Sequence, residues 1–416
     1  MSNIVIRGNK KLSGEIRVSG AKNSVVALIP AAILCDDTVF IDNVPAISDI
    51  DALEDILRCL NVSVDRDGNG IKINSKNMKN DEISCVLASK LRASYYFMGA
   101  LLGKYKKVSM CFPGGCSIGE RPINLHLKGF EKLGAKVDEH NGAFVITADK
   151  LIGDEVFLDV PSVGATINII LAAVKARGKT IIENAAMEPE IVDVIQFLNC
   201  MGAKIKGAGT RKLEIIGVRK LHSIHYSVVP DRIEAGTYVI AAALLGHNLK
   251  ISGLVPEHIE SLTSKLEEAG VKLSIGEDYV RVDDVGSYHA VDVMTVVYPG
   301  FPTDLQQPMV PFLTQCRGIS HIEETVWENR FMNIPDTVRM GARIKVEDNR
   351  VAVIRGKTKL KGRNVKATDL RGGASMVICG LIADGVTTIS SVDHILRGYE
   401  DIVGKLSNVG ADIKIV

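Results

Sequence analysis

Apolar and polar positions along the chain fall into one pattern, used six times. A run that is apolar on nearly every face, such as Gly236 to Leu245, predicts a helix buried on all sides. A short stretch rich in β-formers follows, as in Val39-Phe40-Ile41, Val108-Ser109-Met110 and Thr180-Ile181-Ile182. A loop then leads to a second helix with one polar face. That helix stops at a Gly-Ala-x-apolar marker, where glycine takes the left-handed backbone that closes a helix. Two short strands complete the unit, as in Lys204-Ile205-Lys206 and Leu213-Glu214-Ile215-Ile216.

Two markers carry the repeat. Asn61, Gly134, Gly202, Gly270, Gly341 and Gly410 are separated by 73, 68, 68, 71 and 69 residues. Ser24, Ser94, Thr166, Thr237, Thr303 and Ser375 are separated by 70, 72, 71, 66 and 72, and each opens an apolar helix, where a hydroxyl suits an N-cap. Six βαβαββ units, helices inside and sheets outside, predict an α/β protein of two lobes with three units each. The expected lobes are residues 22–229 and residues 1–21 with 230–416, hinged near Val229-Pro230-Asp231, with a ligand site between them.

Composition narrows what such a site holds. The 416 residues carry a net charge of +1, so no bulk basic field favours nucleic acid or a membrane surface, and an anion must be held by cations gathered locally. The start of the chain lacks a signal-peptide pattern. The longest apolar-rich run, Val25 to Leu34, contains Pro30 and falls well short of the ~20 residues of a membrane span. Eight cysteines show neither CxxC pairs nor metal-ligand spacing, and most, such as Cys35 and Cys379, read as buried free thiols. The expectation is a cytoplasmic, reduced protein without metal or cofactor.

The sharpest chemical feature is Pro113-Gly114-Gly115-Cys116-Ser117-Ile118-Gly119, followed by Glu120-Arg121-Pro122. Side-chain-free backbone can approach a ligand closely, and a cation beside a thiol favours its reactive form. It reads either as a reactive thiol or as a glycine-rich turn with an incidental cysteine. Lys22-Asn23, just before Ser24, combines an ammonium with a helix start, a common anion site and equally a common solvated pair. Thr368-Asp369-Leu370-Arg371 precedes the last buried helix, and Arg397-Gly398-Tyr399-Glu400 follows it. Lys22, Arg121, Arg371 and Arg397 thus occupy comparable ends of equivalent units, as a cluster for a small dianion or as surface ion pairs such as Asp369 with Arg371. Asp304 lies in the first turn of a buried helix, as a helix-end charge or as a general base. Glu328-Asn329-Arg330-Phe331 follows the lone Trp327 and lines a cleft or caps a helix.

These segments, with Ser162-Val163-Gly164-Ala165-Thr166, Pro230-Asp231-Arg232-Ile233-Glu234 and Phe301-Pro302-Thr303-Asp304, resemble in order and over the whole chain the UDP-N-acetylglucosamine 1-carboxyvinyltransferase family of enolpyruvyl transferases. The resemblance implies two inverse α/β barrels and transfer of the enolpyruvyl group of phosphoenolpyruvate to the 3-hydroxyl of UDP-N-acetylglucosamine, the first committed step of peptidoglycan precursor synthesis. It implies that Cys116 protonates the methylene carbon and is the site of fosfomycin addition, and that Asp304 takes the hydroxyl proton. Lys22, Asn23, Arg121, Arg371, Arg397 and Asp369 match phosphoenolpyruvate contacts, with Lys22 and Arg397 also among the catalytic residues. Asn23, Arg92, Arg121, Pro122, Ile123, Asn124, Leu125, Ser162, Val163, Gly164, Asp304 and Val326 match UDP-sugar contacts. Departures at Ser48, Asn124 and Val160, where relatives carry lysine, aspartate and lysine, touch the uridine and phosphate contacts and leave the reaction intact. The alternatives are enolpyruvyl transfer to shikimate 3-phosphate, whose enzymes lack the cysteine loop, and a catalytically silent nucleotide-sugar-binding regulator.

Overall fold

The computed structural model describes residues 2–111, 123–140 and 143–416. Six helices are almost wholly buried: Lys22–Ala32, Tyr96–Tyr105, Val163–Ala173, Arg232–Leu245, Thr303–Gln315 and Leu370–Ile382. Most of their faces are apolar, and the polar groups they carry, such as Gln306 and Glu234, are themselves buried, so each helix is stable only where neighbours cover it. Among the described residues six sheets cover them, five of four strands and one of three.

Each second helix ends at the sequence marker. Gly134, Gly202, Gly270, Gly341 and Gly410 have φ between 91° and 111°, and Asn61 has φ 58°. This is the left-handed backbone that favours glycine and tolerates asparagine.

The hydroxyl markers behave differently from expectation. None of the six is the N-cap of its buried helix; those positions are Ala21, Tyr95, Ser162, Asp231, Pro302 and Asp369. Most of the marker hydroxyls are instead buried and tie the helix to neighbouring segments. Thr166 Oγ1 accepts from Ala186 N at 3.1 Å, and Ser375 Oγ accepts from Asn333 Nδ2 at 3.1 Å. A hydroxyl inside a buried helix is stabilised by such a partner, so at Thr166 and Ser375 the marker preserves a buried bond and not a cap.

A βαβ rule organises the sheets. Glu155–Phe157 and Lys179–Glu183 pair in parallel across the Val163–Ala173 helix. Val293–Met294 pairs likewise with Gly318–Glu323, and Asn364–Lys366 with Val386–Ser390. Two units break the rule in a reciprocal way. His225–Ser227 pairs with Thr38–Asp42, and Leu12–Arg17 pairs with Gly246–Ser252. Each of these strands completes the sheet that the other would have joined, so the chain must cross twice between two compact units. The crossings lie at Ser19–Gly20 and Val229–Pro230. On one side Ala21 N donates to Val229 O at 2.7 Å; on the other Asp231 N donates to Ser19 O at 2.9 Å. Residues 2–19 and 230–416 form one unit over one apolar core, and the described residues of 20–229 form the other over a second.

The cysteines need one correction. Cys35, Cys316 and Cys379 are buried free thiols, and burial pushes the last two up to about 12, where they are unreactive. Cys59 and Cys200 are exposed and free. Cys85 and Cys111, however, form a disulfide with Cα atoms 4.9 Å apart, so the fully reduced reading does not hold. The two are 26 residues apart in sequence and meet because Ile83 bridges Met110 beside them.

Candidate functional site

In the unit of residues 20–229, Lys22 is the first residue of a buried helix and Asp49 stands in the first turn of the Ser48–Cys59 helix. Their side chains pair at 2.7 Å, both largely buried. The ammonium is therefore held at a helix start by a carboxylate that sequence reasoning did not single out. Asp49 looks like an ordinary first-turn acid, and only the packing of the two helices gives it this partner.

A second group gathers residues far apart in sequence. Ser162 caps the Val163–Ala173 helix by accepting from Ala165 N at 3.3 Å. Gly164 follows immediately, and a Cβ placed on it would lie 2.9 Å from His126 Cε1 and 2.9 Å from the Tyr95 hydroxyl. The Tyr95 and His126 rings meet edge to face with centroids 5.0 Å apart, and the Arg92 guanidinium lies over Tyr95 at 6.0 Å. His126 bonds through Nδ1 to Asn168 Nδ2 at 2.8 Å. Burial, then the Arg92 charge, pushes His126 down to about 3, so it is neutral. Arg92, Ser162, Val163 and Gly164 thus share one place with Tyr95, His126 and Asn168, which the sequence did not signal. Ile123 is buried at the N-cap of the Asn124–Lys132 helix, Asn124 is exposed and Leu125 half-buried. Cys116, Arg121 and Pro122 lie outside the described residues.

In the unit that holds residues 230–416, the centre is Asp304. It sits in the first turn of the Thr303–Gln315 helix with Arg371 on one carboxylate oxygen and Arg330 on the other. Burial pushes its carboxyl up, but Arg371, Arg330 and Arg232 outweigh this and hold it well below the usual carboxylate range. Asp369 caps the Leu370–Ile382 helix, its Oδ1 accepting from Arg371 N and Gly372 N at 3.0 Å each. Its Oδ2 accepts from Gln307 Nε2 at 3.0 Å and Thr368 Oγ1 at 3.1 Å. Arg371 therefore pairs with Asp304, while Asp369 fixes the backbone from which Arg371 projects. The guanidinium also lies 5.3 Å from the Tyr399 ring centre. Arg397 is half-buried two residues before Tyr399, at the end of the Asp393–Leu396 turn. Val326 N donates to Glu324 at 2.8 Å. Arg330 was visible in sequence only beside Trp327; its partner Asp304 is a tertiary fact.

Comparison with known proteins gives these groups a context. The model of the EPSP synthase (3-phosphoshikimate 1-carboxyvinyltransferase) family matches residues 6–406. The UDP-N-acetylglucosamine 1-carboxyvinyltransferase 2 of Listeria monocytogenes is 52% identical over 410 residues, covering 99% of this chain and 97% of that protein. The protein of the same name from Geobacillus kaustophilus is 51% identical over 413 residues, and that of Streptococcus thermophilus 49% over 419, the latter covering both chains completely. Among solved structures, the enolpyruvyl transferase NikO from Streptomyces tendae superposes with a TM-score of 0.89 at 25% identity, over 100% of this chain and 99% of that one. EPSP synthase from Acinetobacter baumannii, with a TM-score of 0.77 at 17% identity over the whole of both chains, shares the fold. At half identity over nearly its full length, the chain belongs to the UDP-N-acetylglucosamine 1-carboxyvinyltransferases, within the broader EPSP synthase family.

Proposed function

We propose that the chain transfers the enolpyruvyl group of phosphoenolpyruvate to the 3-hydroxyl of UDP-N-acetylglucosamine with release of phosphate, at the entry to peptidoglycan precursor synthesis. The observation that carries the reading is Asp304 held between Arg371 and Arg330, in a chain half identical to proteins of that name. Both substrates are cytoplasmic metabolites, and the reading places the enzyme there.

The sugar oxygen adds to C2 of phosphoenolpyruvate while Cys116 gives a proton to the methylene carbon and Asp304 takes the hydroxyl proton. Phosphate then leaves C2 as a proton leaves the new methyl group, regenerating the double bond. Lys22, Asn23, Arg121, Arg371 and Arg397 hold the phosphoenolpyruvate anion, and Asp369 aims Arg371. Arg92, Arg121 to Leu125, Ser162 to Gly164 and Val326 hold the UDP-sugar. In the free protein Asp304 is a weak base because its arginines are turned towards it. Substrate anions that draw Arg371 and Arg330 away raise its proton affinity when the hydroxyl arrives.

The test is phosphate release from phosphoenolpyruvate with UDP-N-acetylglucosamine, with shikimate 3-phosphate and with neither. Release with the UDP-sugar alone is expected; release with shikimate 3-phosphate instead, or with no acceptor supplied at all, overturns the reading. Fosfomycin is expected to add covalently to Cys116, and an unmodified Cys116 peptide after incubation contradicts that assignment.

A further inference from the structure

Glu324 lies just past the Gly318–Glu323 strand and is 1% exposed; it makes no ion pair with the arginines around Asp304, and beyond the bond from Val326 N it has been given no role above. Its carboxylate collects four hydrogen bonds from three segments. Oε1 accepts from Thr295 Oγ1 at 2.8 Å, from Val326 N at 2.8 Å and from Trp327 N at 3.1 Å. Oε2 accepts from Thr303 Oγ1 at 2.8 Å. The backbone is fixed as well: Glu324 N donates to Arg350 O at 2.8 Å, and Thr295 Oγ1 accepts from Thr325 N at 3.0 Å.

A buried carboxylate is costly to desolvate and persists only where donors saturate it. These donors mark what the cost secures. Two are consecutive backbone N–H groups that set the course of the chain through Val326 and Trp327. One is the side chain of Thr303, which opens the helix whose next residue is Asp304. The two arms of one carboxylate therefore join the Val326 turn to the helix start that aims Asp304.

We propose that Glu324 is a positioning residue for the UDP-sugar, with its Oε1 arm shaping the Val326 contact and its Oε2 arm orienting the Asp304 turn. The proposal rests on the reading that Val326 and Asp304 face that substrate. The arms differ in consequence. Loss of the Oε1 arm weakens sugar binding, whereas loss of the Oε2 arm misplaces the base without removing a sugar contact. Glutamine retains an oxygen for the two backbone N–H groups and offers its amide to Thr303 Oγ1, which can accept.

The experiment is steady-state kinetics of Glu324→Ala, Glu324→Gln and Thr303→Val beside wild type, with melting temperatures recorded for each. Glu324→Ala is expected to raise KM for UDP-N-acetylglucosamine at least tenfold and to lower kcat, with KM for phosphoenolpyruvate within about twofold. Glu324→Gln should restore KM to within about threefold of wild type. Thr303→Val should lower kcat severalfold at unchanged KM. A purely structural role would lower melting temperature and active fraction while leaving both KM values alone, and that result overturns the proposal. So does a folded Glu324→Gln or Thr303→Val that matches Glu324→Ala in every parameter, or a rise of both KM values together. If Glu324→Ala does not fold, the other two variants still decide between these outcomes. Wild-type protein that neither turns over nor binds the UDP-sugar by calorimetry refutes the functional reading itself and takes this assignment with it.

Discussion

Arg371 donates to a single oxygen of Asp304 from both Nε, at 3.2 Å, and Nη2, at 2.9 Å, while Arg330 holds the other oxygen. Both arginine side chains are nearly inaccessible, at 4% and 3% exposure, and Asp304 is a counter-charge they share. A charge pair of this kind stabilises little in itself, but removing one partner strands the others.

Replacing Asp304 by Asn is therefore expected to act twice. Turnover falls by roughly 10²-fold or more through loss of the proton acceptor. Stability falls by about 3 kcal/mol because two buried arginines lose their partner. Urea unfolding and phosphate-release assays on the same preparation check both. Full activity in Asp304→Asn removes it as the base.

His126 makes stability depend on pH in a defined direction. Its folded pKa of about 3 lies below the unfolded value of 6.5, so the unfolded chain binds the proton first. The stability it contributes is present above pH 6.5 and is lost progressively as pH falls towards 3. Over that window the slope is about 1.4 kcal/mol per pH unit for one proton. His126→Gln should flatten unfolding free energy against pH between 6.5 and 4, and an unchanged slope contradicts the assignment.

Gly164 has no room for a side chain. The Cβ of Gly164→Ala would press on His126 Cε1 and the Tyr95 hydroxyl, with His126 Nε2 at 3.1 Å behind them. Relief requires a shift of the ring pair over which Arg92 lies. The expected result is a loss of about 1–3 kcal/mol of stability, with a higher KM for UDP-N-acetylglucosamine and little change in KM for phosphoenolpyruvate. Equal effects on both KM values would argue against a sugar-side role for this place.

The Cys85–Cys111 disulfide closes a loop of sequence separation 26. Loop-closure entropy alone predicts about 3.5 kcal/mol of stabilisation for a loop of that length. Adding reductant to native protein, followed by alkylation and intact-mass measurement, should label two further cysteines and lower the melting temperature. If the two thiols are already free in protein purified without reductant, the cross-link is not formed in solution.

How much of this was readable in the sequence follows from the range of each interaction. The left-handed helix ends at Asn61 and Gly134 to Gly410 were legible because a backbone conformation is a local property, as was the largely apolar character of buried helices such as Val163–Ala173. Period and hydrophobicity together gave six α/β units. The role of Thr166 and Ser375 is not legible in sequence because capping and buried hydrogen bonding look identical until the partner, Ala186 N for Thr166, is known.

Side-chain motifs named Lys22, Asp304 and Arg371, since charge beside a helix start is visible one residue at a time. Tertiary structure alone decided that Lys22 is held by Asp49, that Asp304 lies between Arg330 and Arg371, and that Glu324 joins the Val326 turn to Thr303. It also decided where the chain crosses between units, through the exchange of Leu12–Arg17 for His225–Ser227. The physical reason is common to all four. A repeat fixes what each segment is, but pairing between segments tens to hundreds of residues apart depends on which surfaces close over the two cores, and no local preference encodes that choice.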